Sequence, residues 1–257
     1  YYLRKKKVTL KENLISIIIP CKNEEGNIKN IINKNFKDKL SFKYEVIFVD
    51  DKSSDGTLLI MEQEKKNNQD IDIKIVNGPG NGKSRAVDVG VKNSTGDYCM
   101  ILDADITVKV EDLDLFYNAI KNNNADLING SRLIYKVEKR SMRTLNFFGN
   151  IFFSILVSYI SEKYVSDVLC GTKCFKRKSW EKYEEFRNKY RINDIWGDFN
   201  IIFASSFIGE KIIDLPVRYY ERVQGVSKMR KRFFNFLNMM KVCLQVFKCF
   251  KFKNRLV

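Results

Sequence analysis

Histidine is absent from all 257 residues of this chain. Histidine is the side chain that most often accepts a proton near neutral pH, so its absence removes the usual general base. Any general base must therefore be an Asp or a Glu, or the reaction must not need one.

Cysteine pairs with the spacing of metal ligands are almost absent too. The six cysteines form no Cys-x-x-Cys pair, and only Cys170 and Cys174 approach ligand spacing. Without a second pair or a histidine to complete the ligand set, a structural zinc site is not expected. Several cysteines lie in apolar runs and no segment resembles a signal peptide, so we expect reduced, buried thiols in a cytoplasmic protein. The six are Cys21, Cys99, Cys170, Cys174, Cys243 and Cys249.

Acidic residues are scarce relative to basic ones, and the formal net charge is +15. Such an excess indicates a nucleic-acid partner, an anionic membrane surface or simply a lysine-rich composition. No nucleic-acid-binding motif appears, so a nucleic-acid-binding protein is a distant alternative and no nucleic acid is expected as a partner. The apolar run 144–160 is short for a membrane span and has several polar positions, which favours an interfacial or buried helix.

Apolar strands alternate with helices over the first hundred or so residues. The predicted strands cover 15–20, 44–50, 71–76 and 98–102, and the predicted helices cover 23–35, 54–66 and 83–92. Strands that are apolar throughout indicate a mainly parallel sheet with helices on both faces, which is an α/β fold. Ligands of such sheets bind at the carboxyl ends of the strands, where loops 20–25, 50–56, 78–83 and 103–105 lie.

The second half of the chain has a different pattern. Further strands are predicted at 126–131, 168–175 and 212–220, with the apolar helix 144–160 between the first two. From Lys228 a basic amphipathic helix is predicted, of the kind that lies on anionic lipid or covers a core. The predicted organisation is a basic lead-in (1–13), one α/β domain (14–227) and a membrane-proximal basic helix (228–257).

Two carboxylates follow the fourth predicted strand, in Asp103-Ala104-Asp105. An oxygen-rich pair at a strand end suits Mg2+ or Mn2+, whose remaining ligands are commonly water and substrate phosphates. Taken alone, the pair is a weak signal, because such pairs are more often found in solvated turns and at helix N-caps.

Two other loops at the same edge carry polar groups. Asp50 and Asp51 come directly after the second strand, and two consecutive acids exceed what capping the next helix needs. The run from Gly78 to Ser84 contains Lys83 at a helix start, which suits a diphosphate. Because only three residues separate Gly78 from Gly82, the run is not a Walker phosphate loop.

Several charged residues in the second half are ambiguous. Arg132, Arg143 and Lys228 lie at turns near predicted strand or helix ends, where they either contact an anion or are solvated. Asp167 and Asp198 are embedded among apolar residues, as a structural cap, a base or a support for a metal ligand.

Together these elements resemble glycosyltransferase family 2, and most closely its dolichol- or polyprenyl-phosphate mannose or glucose synthase branch. Four segments carry the resemblance over residues 14–230: Ile-Ile-Ile-Pro-Cys-Lys-Asn-Glu24, Val-Asp-Asp-Lys-Ser-Ser-Asp-Gly-Thr57, Leu-Asp-Ala-Asp105 and Gln-Gly-Val-Ser-Lys228. The resemblance implies a GT-A fold, which is a Rossmann-like, nucleotide-sugar-binding α/β sheet.

The resemblance also implies roles for individual residues. The implied nucleotide-sugar pocket comprises Pro20, Cys21, Asn23, Glu24, Asp50, Asp51, Lys83, Asp103, Ala104 and Asp105, with Asp103 and Asp105 holding Mg2+ or Mn2+. The implied acceptor-phosphate residues are Arg132, Arg143, Ser227 and Lys228. Two segments depart from the branch: Ile106-Thr107 replaces Leu-Gln after the metal pair, and Asp167-Val-Leu-Cys-Gly171 replaces Asp-Pro-x-Ser-Gly.

The implied reaction is an inverting, metal-dependent transfer from a nucleotide-sugar of the GDP-mannose or UDP-glucose type. A polyprenyl phosphate acceptor is already anionic and needs no base, which suits a chain without histidine. A hydroxyl acceptor on a glycan or glycolipid would instead require Asp198 or Asp167 as the base. Both the apolar helix and the basic helix are accounted for if the protein is peripheral on the cytoplasmic face of a membrane.

Overall fold

The computed structural model describes residues 13–32, 40–122, 125–133, 144–220 and 232–253. Within these ranges the strands form a seven-stranded sheet in the order β3-β2-β1-β4-β6-β5-β7. Neighbouring strands are parallel except where β6 pairs with β4 and β5. The predicted mainly parallel α/β sheet is confirmed, with one reversed strand inside it. The strands are β1 (Ile15–Cys21), β2 (Tyr44–Asp50), β3 (Ile73–Asn77), β4 (Tyr98–Ile101), β5 (Leu127–Ser131), β6 (Lys173–Lys176) and β7 (Ile212–Pro216).

Helices cover both faces of this sheet. They are α1 (Glu25–Ile31), α2 (Thr57–Asn67), α3 (Lys83–Lys92), α4 (Leu113–Asn122), α5 (Thr144–Ser161), α6 (Trp180–Lys189), α7 (Asp198–Phe207) and α8 (Arg232–Lys253), with 3-10 turns at Val110–Asp112 and Arg177–Ser179. The helix predicted from residue 23 begins at Glu25, because Asn23 has a left-handed backbone (φ 54°). Its predicted end at residue 35 lies outside the described residues.

The apolar strands supply two cores, one on each face of the sheet. Ile15, Ile17 and Ile19 of β1 pack in the core that α1, α2 and α4 cover. Ile18 of the same strand packs in the other core, which α3, α5, α6, α7 and α8 cover. Burial on both faces explains why these strands lack a polar alternation.

Two strand boundaries in the second half were predicted wrongly. The strand predicted at 168–175 begins only at Lys173, because the preceding residues turn around the Asp167 carboxylate, which accepts a hydrogen bond from the Leu169 backbone (2.9 Å). The strand predicted at 212–220 ends at Pro216, opposite Ser131, because β5 ends there and the Val217 N–H makes the last hydrogen bond to Ser131 O (2.9 Å).

Helix α8 lies against the core through one face, where Met239, Val242, Cys243 and Val246 are buried. It contacts α5, and the rings of Phe152 and Phe236 are 5.9 Å apart. Residues 228–231 of the predicted basic helix lie outside the described residues. None of the helices described here is both long and apolar enough to cross a membrane.

Candidate functional site

The carboxyl ends of β1, β2 and β4 lie side by side at one edge of the sheet, called here the carboxyl edge. Strand β1 pairs with β2 as far as Cys21 opposite Asp50, and with β4 as far as Ile18 opposite Ile101. The Leu102 N–H extends the second ladder by donating to Ile18 O (3.0 Å). The loops that follow these three strands therefore converge.

Four charged side chains form a continuous series at this edge, called here the charge chain. Lys83 Nζ lies 2.8 Å from Asp103 Oδ1 and 3.6 Å from Asp198 Oδ1. The same Asp198 oxygen lies 3.8 Å from Lys173 Nζ. The two carboxylates and two ammonium groups alternate, so the charges balance within the chain Asp103–Lys83–Asp198–Lys173.

Burial and neighbouring charge act in opposite directions on these groups. Burial lowers the pKa of Lys83, but the Asp103 and Asp198 carboxylates raise it by more, so the net pKa lies above its usual value. Burial raises the pKa of Asp198, and the charges of Lys83 and Lys173 offset only part of that increase. The amine of Lys83 is therefore a firmly protonated cation at the edge.

Lys173 was not singled out from the sequence. Its side chain is 0% exposed, and Nζ donates to Asn129 Oδ1 (2.8 Å) and to Cys170 O (2.5 Å). A fully buried lysine is uncommon, and it requires partners of this kind. The available signal was a lysine inside the apolar run Cys170-Gly-Thr-Lys-Cys-Phe175.

Gly171 allows the chain entering β6 to approach the charge chain. A Cβ atom at this position would overlap Asp103 Oδ2 and Lys83 Nζ and lie 2.7 Å from Asp103 Cγ. The segment that leads into the reversed strand β6 thus packs directly against the Asp103–Lys83 pair.

The turn after β4 orients Asp105. This buried carboxylate accepts hydrogen bonds from Thr107 Oγ1 (2.9 Å) and Thr107 N (3.3 Å). Ile106 between them has φ 54°, a costly backbone for a β-branched residue, and such strain often lies at functional sites. Ala104 in the same turn is buried.

Two carboxylates on one turn suit a hard divalent cation. Their oxygen-only donor set matches the preference of Mg2+ and Mn2+, which retain water and share phosphate ligands. No group of three or more Cys, Asp or Glu side chains in the described residues could hold a metal. A metal at Asp103 and Asp105 would therefore take its other ligands from substrate and water.

The loops after β1 and β2 are joined by side chains. Asn23 Oδ1 accepts from the Ser54 N–H (2.8 Å), and the Glu24 N–H donates to Thr57 Oγ1 (2.8 Å). Pro20 is half-buried at the end of β1, and the buried Cys21 thiol donates to the Ile19 carbonyl (3.4 Å). Asn23 and Glu24, both predicted nucleotide contacts, thus also fix the geometry of the loops around them.

Asp50 and Asp51 organise different loops. Asp50 Oδ1 accepts from the Ser53 N–H (3.2 Å). The Asp51 carboxylate accepts from the N–H groups of Gly80 (2.6 Å) and Gly82 (3.0 Å), both of which have positive φ. Asp51 therefore holds the glycine loop that leads into Lys83 at the start of α3.

Asp167 and Arg132 form a second buried ion pair, which Asn129 links to Lys173 of the charge chain. Arg132 donates to the two Asp167 oxygens from Nε (2.7 Å) and Nη2 (2.9 Å), and Asn150 adds a third side-chain donor (2.7 Å). Burial opposes ionisation, but Arg132 and these hydrogen bonds hold the pKa of Asp167 at about 2. Arg132 also lies over the Tyr219 ring (5.0 Å). This environment argues against Asp167 as a base and makes it the anchor of Arg132.

The other predicted acceptor residues, Arg143, Ser227 and Lys228, lie outside the described residues. The chain after β7, which continues to Ser227 and Lys228, is described as far as Tyr220. It lies near the carboxyl edge there, since the Tyr220 N–H donates to Thr107 O (2.9 Å).

The chain is similar in sequence to known proteins. The family model for glycosyl transferase family 2 matches residues 16–208. A dolichyl-phosphate beta-glucosyltransferase of Trichomonas vaginalis is 28% identical over 234 residues, covering 84% of this chain and 70% of that protein. A dolichyl-phosphate beta-glucosyltransferase of Dictyostelium discoideum is 28% identical over 179 residues, covering 64% of this chain and 54% of that protein.

The fold is also found in solved structures. A mannosyltransferase of Pyrobaculum calidifontis, in complex with GDP-Man and Mn2+, superposes with a TM-score of 0.60 at 17% identity. The match covers 92% of this chain and 64% of that one. The sheet and its flanking helices thus have the GT-A architecture.

Proposed function

The chain belongs to glycosyl transferase family 2, and we propose that it transfers a sugar, with inversion, from a nucleotide-sugar to a polyprenyl phosphate of the dolichyl type. The observation that carries the proposal is the carboxyl edge, where Lys83 lies beside the Asp103 carboxylate of the β4 turn. The dolichyl-phosphate beta-glucosyltransferases described above support the acceptor class. A donor of the GDP-mannose or UDP-glucose type is proposed from the resemblance of the motifs.

Lys83 has the charge and position for the leaving group. In this proposal its ammonium binds the donor diphosphate and stabilises the negative charge that develops as the glycosidic bond breaks. Mg2+ or Mn2+ held by Asp103 and Asp105 would, when bound, neutralise the same diphosphate. The Mn2+-bound Pyrobaculum mannosyltransferase supports a divalent metal in this fold.

The acids near the site favour a phosphate acceptor. Asp167 is held by Arg132 with a pKa of about 2, so it cannot take up a proton near neutral pH. Asp198 is buried, and the oxygen that faces Lys83 also faces Lys173. A phosphate oxygen is already anionic and needs no base, whereas a sugar hydroxyl does. Arg132, which Asp167 holds in place, is the described cation proposed for the acceptor phosphate.

Replacing Asp198 separates the two acceptor classes. With polyprenyl phosphate as acceptor and Mn2+ present, we expect Asp198→Asn to keep at least about a tenth of the wild-type kcat, because no proton has to be removed. Loss of a true general base costs roughly 100- to 10,000-fold. A loss in that range, in a variant with an unchanged thermal midpoint, would favour the hydroxyl acceptor.

Location at an anionic membrane surface is a second part of the proposal. Helices α5 and α8 expose large apolar side chains that meet at Phe152 and Phe236. Helix α5 has no charged residue, while α8 has five Lys or Arg and no acid. An apolar face bordered by cations matches an anionic lipid surface. This two-helix face comprises Leu145, Phe148, Phe152, Ile155, Tyr159, Phe233, Phe236, Leu237, Leu244 and Phe247.

Vesicle flotation measures this location. We expect the wild type to float with phosphatidylserine-containing vesicles at low salt, and Phe148→Ser/Ile155→Ser to lose more than half of the floated fraction. The matched control is Leu59→Ser/Leu115→Ser, which removes exposed leucines from α2 and α4 on the opposite face of the sheet. Equal flotation of both double variants, or none by the wild type, would contradict the membrane assignment.

A further inference from the structure

We propose that Lys173 is a positioning residue that allows Lys83 to leave Asp198 and bind the donor diphosphate. The inference rests on the proposed function, since it concerns the donor site of that reaction. It assigns a role to a buried cation that the transfer step itself does not use.

Lys83 already faces two carboxylates before a donor binds. Its ammonium lies 2.8 Å from Asp103 Oδ1 and 3.6 Å from Asp198 Oδ1. To bind a diphosphate with more than one of its three N–H groups, Lys83 must turn away from at least one of these carboxylates. Asp103 is exposed enough to meet solvent or a metal, with 34% of its side chain accessible, whereas Asp198 has only 9%. The costly partner to leave is therefore Asp198.

Leaving a buried carboxylate without a counter-ion is strongly unfavourable, because the charge is removed from water and nothing replaces it. Lys173 supplies the second counter-ion, 3.8 Å from the same Asp198 oxygen. It cannot follow Lys83 towards the donor, because Asn129 Oδ1 and Cys170 O hold its ammonium in the core. Asp198 thus keeps Lys173 as a neighbouring cation whether Lys83 faces Asp198 or binds the donor diphosphate.

Strand β6 explains how the lysine reaches this position. In the sheet, Lys173 lies opposite Ile101 of β4 on one side and opposite Asn129 of β5 on the other. The reversed strand therefore places Lys173 between the end of β4 and the Asn129 side chain that binds its ammonium. Because β6 is antiparallel to its neighbours, its first residues lie at the carboxyl edge, so Gly171 and Lys173 both reach that edge. In a parallel strand the first residues would lie at the opposite edge.

The test is a double-mutant cycle read out by nucleotide affinity. UDP and GDP, each with Mn2+, are titrated calorimetrically into the wild type, Lys173→Met, Asp198→Asn and the combined variant. For whichever nucleotide the wild type binds, we expect Lys173→Met to weaken binding about tenfold or more, because Lys83 is then the one remaining lysine of the two that face Asp198. We expect the combined variant to bind within about threefold of the wild type, since no buried carboxylate then retains Lys83.

Lys176→Met is the matched control, because it removes a lysine from the same strand, where Lys176 pairs with Asp126 (2.5 Å) away from the charge chain. Its nucleotide affinity should equal that of the wild type. Thermal midpoints of all variants separate affinity from stability, since a merely structural ion pair would change the midpoint and leave affinity unchanged.

Each of the other possible outcomes bears on the role of Lys173 or on the proposed function. Additive losses in the combined variant, or wild-type affinity in Lys173→Met, would overturn the role of Lys173 while leaving the proposed function intact. Binding of neither nucleotide by the wild type would overturn both. If Lys173→Met does not fold, the combined variant should fold and bind, because its neutral residue 198 needs no counter-ion; its failure would also refute the inference.

Discussion

Asp105→Ala is expected to lower sugar transfer by about a hundred- to a thousandfold, the scale seen when a preorganised electrostatic contact to the reacting groups is lost. Asp105 is buried, and Thr107 fixes its orientation through two hydrogen bonds to one carboxylate oxygen. Alanine removes the carboxylate and leaves Asp103 as the remaining acidic ligand on this turn. The variant should also lose Mn2+-dependent nucleotide binding, measured by calorimetry beside the transfer rate.

Asp72→Ala is the control for this variant. Asp72 is exposed and precedes β3, so it lies at the opposite edge of the sheet from the β4 turn. Its transfer rate and metal dependence should match those of the wild type. Transfer by Asp105→Ala at more than about a tenth of the wild-type rate would rule out the metal assignment.

Gly171→Ala is expected to reduce transfer by about a hundredfold, the cost of misplacing reacting groups by roughly 1 Å. The added Cβ would overlap Asp103 Oδ2 and Lys83 Nζ, so the charge chain or the β6 backbone must shift. Because the overlapped atoms belong to the ends of two side chains that can move, the loss of stability should lie at the low end of the range of about 1–3 kcal/mol for an overpacked site. Transfer kinetics and a denaturant titration measure the two effects.

Gly149→Ala is the matched comparison. Gly149 lies within α5, and a Cβ there would meet nothing within 4 Å. Alanine in a helix interior is favoured over glycine by about 0.5–1 kcal/mol, so this variant should be at least as stable as the wild type and fully active. Wild-type transfer by Gly171→Ala would show that the close packing of Gly171 against Asp103 and Lys83 has no role in the reaction.

The sequence is sufficient for the first half of the fold because its strands are buried on both faces. Apolar runs such as Ile15–Cys21 and Tyr44–Asp50 have few alternative interpretations, and each ends in polar residues at the carboxyl edge. The parallel arrangement then follows from the intervening helices. For this reason the strand pattern alone assigns Asp103, Asp105 and Lys83 to one edge of the sheet.

The second half is less predictable for identifiable reasons. Helix α7 is almost wholly buried, so its sequence shows no polar stripe with a helical period. Helix α6 does have a helical period, since Trp180, Tyr183 and Phe186 are buried at three-residue spacing. Nevertheless, no helix is predicted there from the sequence. The reversal of β6 depends on pairing with β4 and β5, which a strand of four residues does not encode locally.

The roles of the buried charges could not be derived from spacing. Asp167 and Asp198 have similar sequence surroundings, yet one is bound by Arg132 and the other lies between two lysines. Lys173 follows Cys170 by three residues, and only the tertiary structure shows that its ammonium reaches Asp198. Such pairings join residues far apart in the chain, so they depend on the sheet order.

The central claim is transfer of a sugar to a phosphate, and the acceptor that the purified protein uses tests it most directly. Labelled GDP-mannose, UDP-glucose and UDP-GlcNAc are each incubated with the protein, Mn2+ and either polyprenyl phosphate or the matching polyprenol. The account predicts a labelled glycolipid from one of these donors with polyprenyl phosphate and none with polyprenol. Labelled product with the alcohol, or with neither lipid for any donor, would contradict it.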